Sequence, residues 1–184
     1  FPDRTCNDVT PDLLVRLVKK HDNIVGIKDT VTDMGHTRAL IESTKDTHPQ
    51  FQVFSGMDEN FAHNVLAGGA GAIGGLSNVF PELCSAWVTA VNTEDFGTLE
   101  KIQHLIDRAS SLYTVSPFFV KTLKYASMLR GMQSSDYCRS SHGELSREQK
   151  ENIRTIVAGT DEATRTLILG QRLDNIDARA FARP

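Results

Sequence analysis

The sequence lacks the features that mark secreted, membrane-spanning and nucleic-acid-binding proteins. Its three cysteines, Cys6, Cys84 and Cys138, lie far apart and form no CxxC pair, so we expect free thiols in a cytoplasmic protein and no disulfide or cysteine-bound metal. No apolar run approaches the ~20 residues of a membrane span. With a net charge of −3, the chain also offers no basic surface for nucleic acid. The remaining composition, 40% hydrophobic, is that of a globular protein.

Residues 1–92 alternate short strand patterns with helical patterns. Apolar or β-branched runs at 24–28, 51–55 and 71–74 predict strands, and segments of helical spacing follow them. This order predicts a parallel sheet covered by helices. Three or four such βα units form only about half of an eight-stranded barrel, which typically needs about 250 residues. Because the chain also begins with Phe1 rather than Met, we expect it to be truncated at its N-terminus.

Helix starts are marked by capping residues. Thr10 precedes a proline and an acid, and Asp33 precedes a segment with an apolar side. Residues 93–163 are purely helical in pattern, and Ser146 and Gln149 form a capping box within them. The arginine-rich tail at 164–184 is weakly patterned, and its structure stays unassigned.

Lys28 ends a short apolar run that reads as a buried strand, Asn23-Ile24-Val25-Gly26-Ile27-Lys28-Asp29-Thr30. A desolvated ammonium disfavours its own charge, so a buried lysine is costly. That cost is useful where the lysine must act as a neutral amine and form a Schiff base with a carbonyl substrate. The alternative is a lysine that extends from a strand end into solvent.

Four motifs occur in the order and spacing of a known family: Phe1-Pro2-Asp3-Arg4-Thr5, Gly26-Ile27-Lys28-Asp29-Thr30, Ser55-Gly56-Met57-Asp58 and Gly71-Ala72-Ile73-Gly74. Together they resemble the C-terminal half of dihydrodipicolinate synthase and N-acetylneuraminate lyase, which are pyruvate-dependent class I aldolases. The resemblance extends to about Val157. It implies an α/β fold, the C-terminal half of a (β/α)8 TIM barrel (about strands 5–8, residues 1–92), followed by a C-terminal helical extension (residues 93–163).

The resemblance also implies roles for individual residues. Lys28 matches the lysine that forms the Schiff base with pyruvate, and Arg4 matches an arginine that binds the carboxylate of the incoming aldehyde. Gly56 and Ile73 match positions that line the pyruvate pocket. The alternatives are a solvated loop arginine, a tight turn at the glycine and a barrel-core isoleucine. Phe1-Pro2 resembles the end of a Tyr-Asn-x-Pro segment on strand five, whose proton-relay tyrosine would precede Phe1.

Three further features are interpreted as structural. Asp58 is read as a helix N-cap rather than an acid catalyst. The run 69–74 fits the string G-x-G-x-x-G, but a helix precedes it and a strand lies within it, the reverse of a dinucleotide-binding fingerprint. The histidines, such as His36 and His63, show no metal-like spacing.

The resemblance therefore implies a lysine-dependent lyase or synthase that needs no metal or organic cofactor. Its partners would be pyruvate and an aldehyde or keto-deoxy acid, within a homo-oligomer, a dimer or tetramer. Arg4 favours condensation of pyruvate with aspartate semialdehyde, whereas Gly35-His36-Thr37-Arg38 is closer to aldolases of 2-keto-3-deoxy sugar acids. A hypothesis of another class is that the chain is an inactive half-barrel fragment.

Overall fold

The part of the chain around Lys28 forms a parallel sheet with helices between its strands. The computed structural model describes residues 1–139 and 143–181, with side chains in the last helix described up to residue 170. The chain divides into two compact units, Phe1–Gly74 and a second unit that begins at Gly75. None of the described helices combines the length and the apolar character that a membrane crossing requires.

The first unit alternates helices and strands. Its strands run in parallel in the order β1-β2-β3, with Asp29 opposite Ser55 and Ser55 opposite Ala72. This confirms the predicted parallel sheet. The elements in chain order are α1 (Pro2–Thr5), α2 (Pro11–Lys20), β1 (Gly26–Asp29), α3 (Met34–Thr44), β2 (Gln52–Ser55), a 3₁₀ turn (Asp58–Asn60), α4 (Phe61–Leu66) and β3 (Gly71–Ala72).

The predicted capping residues begin their helices. The Thr10 hydroxyl accepts a hydrogen bond from the Leu13 amide at 3.3 Å, and an Asp33 carboxylate oxygen accepts one from the Gly35 amide at 2.7 Å. These bonds satisfy amides that have no partner within the helix. They fix the first turns of α2 and α3.

The core of the first unit lies between the sheet and its helices. Its buried members come from α2, α3 and β2: Leu14, Val18, Leu40, Ile41 and Val53. Full burial of a side chain of this size contributes about 1.5–3 kcal/mol. Because Val53 points into this core from the middle strand, the packing determines which face of the sheet the helices cover.

The second unit is entirely helical in its described residues. Its buried side chains include Leu83 and Trp87 on one helix, and Ile102, Ile106 and Ile153 on two others. The predicted capping box is formed, since the Ser146 and Gln149 amides donate to each other's side chains at 2.9 and 3.1 Å. The helices are α5 (Pro81–Asn92), α6 (Phe96–Ala109), α7 (Phe119–Leu129) and α8 (Arg147–Phe181), with 3₁₀ turns at Leu76–Asn78 and Ser110–Thr114.

Two features differ from the sequence-based expectations. Phe1-Pro2 was expected to end a strand, but Pro2 begins the short helix α1, because proline suits the first helical turn; the described residues hold three strands. Helix α8 continues to Phe181, so it includes most of the tail that was left unassigned, since extending a helix costs less than starting one. Residues 182–184 of that tail lie outside the described residues. The expected domain boundaries after residues 92 and 163 remain predictions.

Candidate active site

Three of the four site residues expected from the sequence, Lys28, Gly56 and Ile73, lie at the carboxyl edge of the sheet. Gly56 and Ile73 directly follow β2 and β3, as Thr30 follows β1. Two backbone bonds continue the ladder past the strand ends: the Gly56 amide donates to the Asp29 carbonyl at 2.7 Å, and the Ile73 amide donates to the Ser55 carbonyl at 2.8 Å. Ligand sites of parallel α/β sheets lie at this edge.

Lys28 lies one residue before the end of β1 and is exposed. The expectation of a desolvated lysine is therefore wrong for the described structure. Side chains alternate between the faces of a strand, so Lys28 extends from one face while its neighbour Asp29, 5% exposed, points to the other. The helices α2 and α3 pack on the face that Val53 occupies, and Lys28 is left accessible.

Gly56 touches Lys28. A Cβ atom added at Gly56 would lie 2.9 Å from Lys28 Cε and would overlap the Thr30 side chain. Any side chain at position 56 would therefore displace Thr30 and the lysine chain. The absence of a side chain at position 56 leaves room at the strand ends for the Thr30 hydroxyl and the Lys28 chain.

Thr30 was missed in the analysis of the sequence. Thr30 is buried, with 6% of its surface exposed, and its side chain lies against Gly56 beside Lys28. The signal in the sequence was its position two residues after Lys28, at the end of the same motif. The structure thus gathers an amine, a hydroxyl and an uncovered glycine backbone at two neighbouring strand ends.

Asp29 is anchored from the other side of the sheet. Its carboxylate accepts a hydrogen bond from the Thr37 hydroxyl at 2.6 Å and lies 3.0 Å from His36 Nδ1. Both partners belong to the first turns of α3. Two side chains hold the Asp29 carboxylate, and the Gly56 amide binds the Asp29 backbone carbonyl. These contacts fix the end of β1 that carries Lys28.

His36 contacts a second carboxylate. Its Nε2 lies 3.2 Å from Asp8 Oδ1, in the segment between α1 and α2. Burial lowers the pKa of His36, but hydrogen bonding and charge from Asp29 and Asp8 outweigh that effect, so the pKa is raised above its ordinary value of 6.5. The sequence gives no sign of this pairing, because nothing local marks a partner as distant as Asp8.

The other two expected site residues belong to other elements, and only Ile73 shares the sheet edge. Arg4 belongs to α1, is exposed, and its Cζ lies 5.7 Å from the centre of the Phe1 ring. Ile73 follows β3 and is 50% exposed, so the expected apolar wall is accessible to a ligand.

Asp58 is buried in the 3₁₀ turn, whose N-cap is Met57. The expectation that Asp58 itself is an N-cap is therefore wrong, and its carboxylate instead occupies the space beside Gly74. The run Gly69–Gly74 follows α4 and contains β3, the order that the sequence predicts. No group of three or more His, Cys, Asp or Glu side chains within the described residues is arranged to hold a metal ion.

Fold and site together define an α/β protein whose accessible lysine lies at the carboxyl edge of a parallel sheet. The chain belongs to the dihydrodipicolinate synthetase family, whose model matches residues 1–160. Relatives of the chain carry the names of aldolases, lyases and synthases.

Three relatives illustrate the similarity. "Probable 2-dehydro-3-deoxy-D-pentonate aldolase YjhH" of Escherichia coli K12 is 34% identical over 157 residues, 85% of this chain and 52% of the relative. The 4-hydroxy-tetrahydrodipicolinate synthase of Methanospirillum hungatei is 30% identical over 163 residues, 87% of this chain and 53% of that protein. The crystal structure of YagE from E. coli K12, in complex with pyruvate, matches with a TM-score of 0.83 and 28% identity, covering 88% of this chain and 54% of YagE. The chain thus spans about half the length of the curated relatives it matches.

Proposed function

We propose that the protein carrying this chain is a class I lyase that binds pyruvate, or the pyruvyl part of a longer keto acid, as an imine on Lys28. The observation that carries the proposal is the position of this lysine: it is accessible, it lies at the carboxyl edge of the sheet, and its side-chain carbon Cε packs beside Gly56. The YagE structure holds pyruvate, and this supports the same ligand class here.

The chemistry follows from a free amine at that position. Lys28 Nζ adds to the ketone carbon, and the carbinolamine loses water to give an iminium. A base removes the proton of the C4 hydroxyl, the C3–C4 bond of the aldol breaks, and the iminium nitrogen accepts the released electron pair, which gives an enamine, an aldehyde and the protonated base. Protonation of the enamine carbon and hydrolysis then release pyruvate and restore the amine. Synthesis is the reverse.

We propose further that the three strands are part of a (β/α)8 barrel and that the helical unit is its C-terminal extension. Parallel sheets are normally covered on both faces. The helices of the first unit pack on the Val53 face, so the Lys28 face would become the barrel interior. That arrangement would supply the enclosure that the exposed lysine does not have in the described residues.

The favoured substrate class is a 2-keto-3-deoxy sugar acid. YjhH and YagE carry the names of aldolases for such acids, and the His36-containing turn after the lysine strand is the feature of the sequence closest to them. Condensation of pyruvate with aspartate semialdehyde is the second candidate, because Arg4 is accessible to a carboxylate and because the M. hungatei relative is a synthase. Retro-aldol and condensation assays on the same preparation discriminate between the two.

The imine is tested by borohydride trapping. Pyruvate plus borohydride should label Lys28, as read by peptide mass spectrometry, and the Lys28→Ala variant should lose the label while its circular dichroism stays unchanged. Lys20→Ala, which changes an exposed lysine at the end of α2, is the matched control and should label normally. Label on another lysine, or none in the folded protein, would reject the proposal and favour the inactive half-barrel.

A further inference from the structure

One imidazole lies between two carboxylates that belong to different parts of the first unit. His36 Nδ1 is 3.0 Å from Asp29 Oδ2, and Nε2 is 3.2 Å from Asp8 Oδ1. A neutral imidazole carries a single N–H, whereas an imidazolium donates from both nitrogens. The approach of Nε2 to Asp8 has the distance of an ion pair but not hydrogen-bond geometry. Only the protonated, positively charged ring attracts both carboxylates at once.

The two carboxylates belong to the two segments that carry the site. Asp29 follows Lys28 directly, and its carbonyl accepts the Gly56 amide at 2.7 Å. Asp8 lies four residues after Arg4, in the segment that joins α1 to α2. The imidazolium is therefore a direct polar link between the strand of the lysine and the segment of the arginine.

We propose that His36 is a positioning residue, whose imidazolium bridges Asp29 and Asp8 and so fixes the Arg4-bearing segment against the strand that carries Lys28. The proposal rests on the proposed function of Lys28. Helix α3 contributes no group to the proposed chemistry. In this proposal it holds the Arg4-bearing segment in position relative to the Lys28 amine.

The link depends on pH. The charged groups that act on the ring are Asp29 from β1 and Asp8 from the segment before α2, while Asp33 on its own helix is engaged with the Gly35 amide. The pKa of His36 is raised in the fold. The link is therefore complete below the unfolded-state pKa of about 6.5, and it is lost as the pH rises through the higher folded-state pKa.

Hydrogen exchange tests the link independently of catalysis. His36→Gln and Asp8→Asn should lose amide protection in residues 3–9 at pH 6, and wild type should lose it as the pH is raised. His63→Gln, which changes an exposed histidine on α4, should keep the wild-type pattern. Unchanged protection in both bridge variants would overturn the inference whatever Lys28 does.

A second measurement tests the effect on substrate. In the protein that forms the Lys28 adduct, His36→Gln should raise KM for the keto-deoxy acid or aldehyde by roughly tenfold with little change in kcat, since a displaced binding group costs up to about 100-fold. The KM of the variant should also lose the pH dependence of wild type. A His36→Gln variant with wild-type KM and pH profile would overturn the inference. Absence of the Lys28 adduct in the wild-type protein would reject the proposed function, and the hydrogen-exchange result would then decide whether the bridge exists.

Discussion

Space at position 56 decides whether Lys28 and Thr30 can occupy their present positions. A Cβ there would stand 2.9 Å from Lys28 Cε and 2.6 Å from Thr30 Cβ. These distances are shorter than van der Waals contacts between carbon atoms, at about 3.5–4.0 Å. Because Thr30 is buried, it cannot move away freely. The closest approach of the added Cβ, to Thr30 Oγ1, is with this buried side chain, so the clash falls on Thr30 as well as on the lysine chain.

We therefore expect Gly56→Ala to impair both the site and the fold. The added methyl should push Lys28 from its position and reduce the rate of borohydride-trapped adduct by at least roughly tenfold, a cost in line with small misplacements of reacting groups. Overpacking should lower the free energy of unfolding by about 1–3 kcal/mol. Quantitative trapping and urea unfolding measure the two effects.

A matched alanine substitution separates the two effects. At Gly97, in the first turn of α6, an added Cβ would meet its nearest neighbour at 3.8 Å, an ordinary contact. Gly97→Ala should therefore trap pyruvate at the wild-type rate. If Gly56→Ala labels as fast as wild type, the close packing of Gly56 against the lysine has no functional meaning.

Among the elements, α4 connects two strands through one side chain. The Asn64 amide nitrogen donates to the Val53 carbonyl at 3.0 Å and to the Gly71 carbonyl at 2.7 Å. Asn64 is fully buried. Since β3 is only two residues long, this amide supplies a large part of what holds β3, and hence Ile73, beside β2.

Asn64→Asp keeps the shape and removes both donors. Two buried carbonyls would then face a carboxylate, and each lost partner costs about 1–3 kcal/mol, so we expect the free energy of unfolding to fall by about 2–5 kcal/mol. Chemical denaturation measures this loss. The same change at the exposed Asn23 should stay within about 0.5 kcal/mol of wild type. A stable Asn64→Asp variant would mean that the ladder alone holds β3.

The elements were predicted well where the signal is local. Caps at Thr10, Asp33 and Ser146 act within three residues, so the sequence shows them directly. Contacts between distant residues leave no such signal. The pairing of His36 with Asp8 and the closeness of Thr30 to Gly56 arise only when the strand ends meet. The sequence left open whether Lys28 is buried or extends into solvent, because a four-residue strand does not show which face its helices will cover.

At the scale of the whole molecule, the chain consists of two units that each have an apolar core. The sheet and its helices enclose one cluster around Val53, and the helical unit buries its own set, including Trp87 and Ile106. Each unit can therefore gain folding free energy from its own burial. Both units fall at least partly within the family match at residues 1–160, so a site on the first unit is expected to function in a larger fold.

Residues 1–184 expressed alone should form little product even if Lys28 is chemically competent. Aldol cleavage needs proton transfer to and from the substrate as well as an imine. Positioned general acids or bases typically raise the rate of such a reaction by about 10²–10⁴-fold. The family resemblance assigns this task to a tyrosine in a segment that this polypeptide does not include. We therefore expect slow borohydride labelling of Lys28 but no measurable pyruvate release from keto-deoxy acids. A coupled assay for pyruvate, with size-exclusion chromatography to record the oligomeric state, tests this. Turnover comparable to that of an intact relative would show that the proton-transfer groups lie within these residues. The first residue to replace would then be Thr30, whose buried hydroxyl lies beside Lys28 and Gly56.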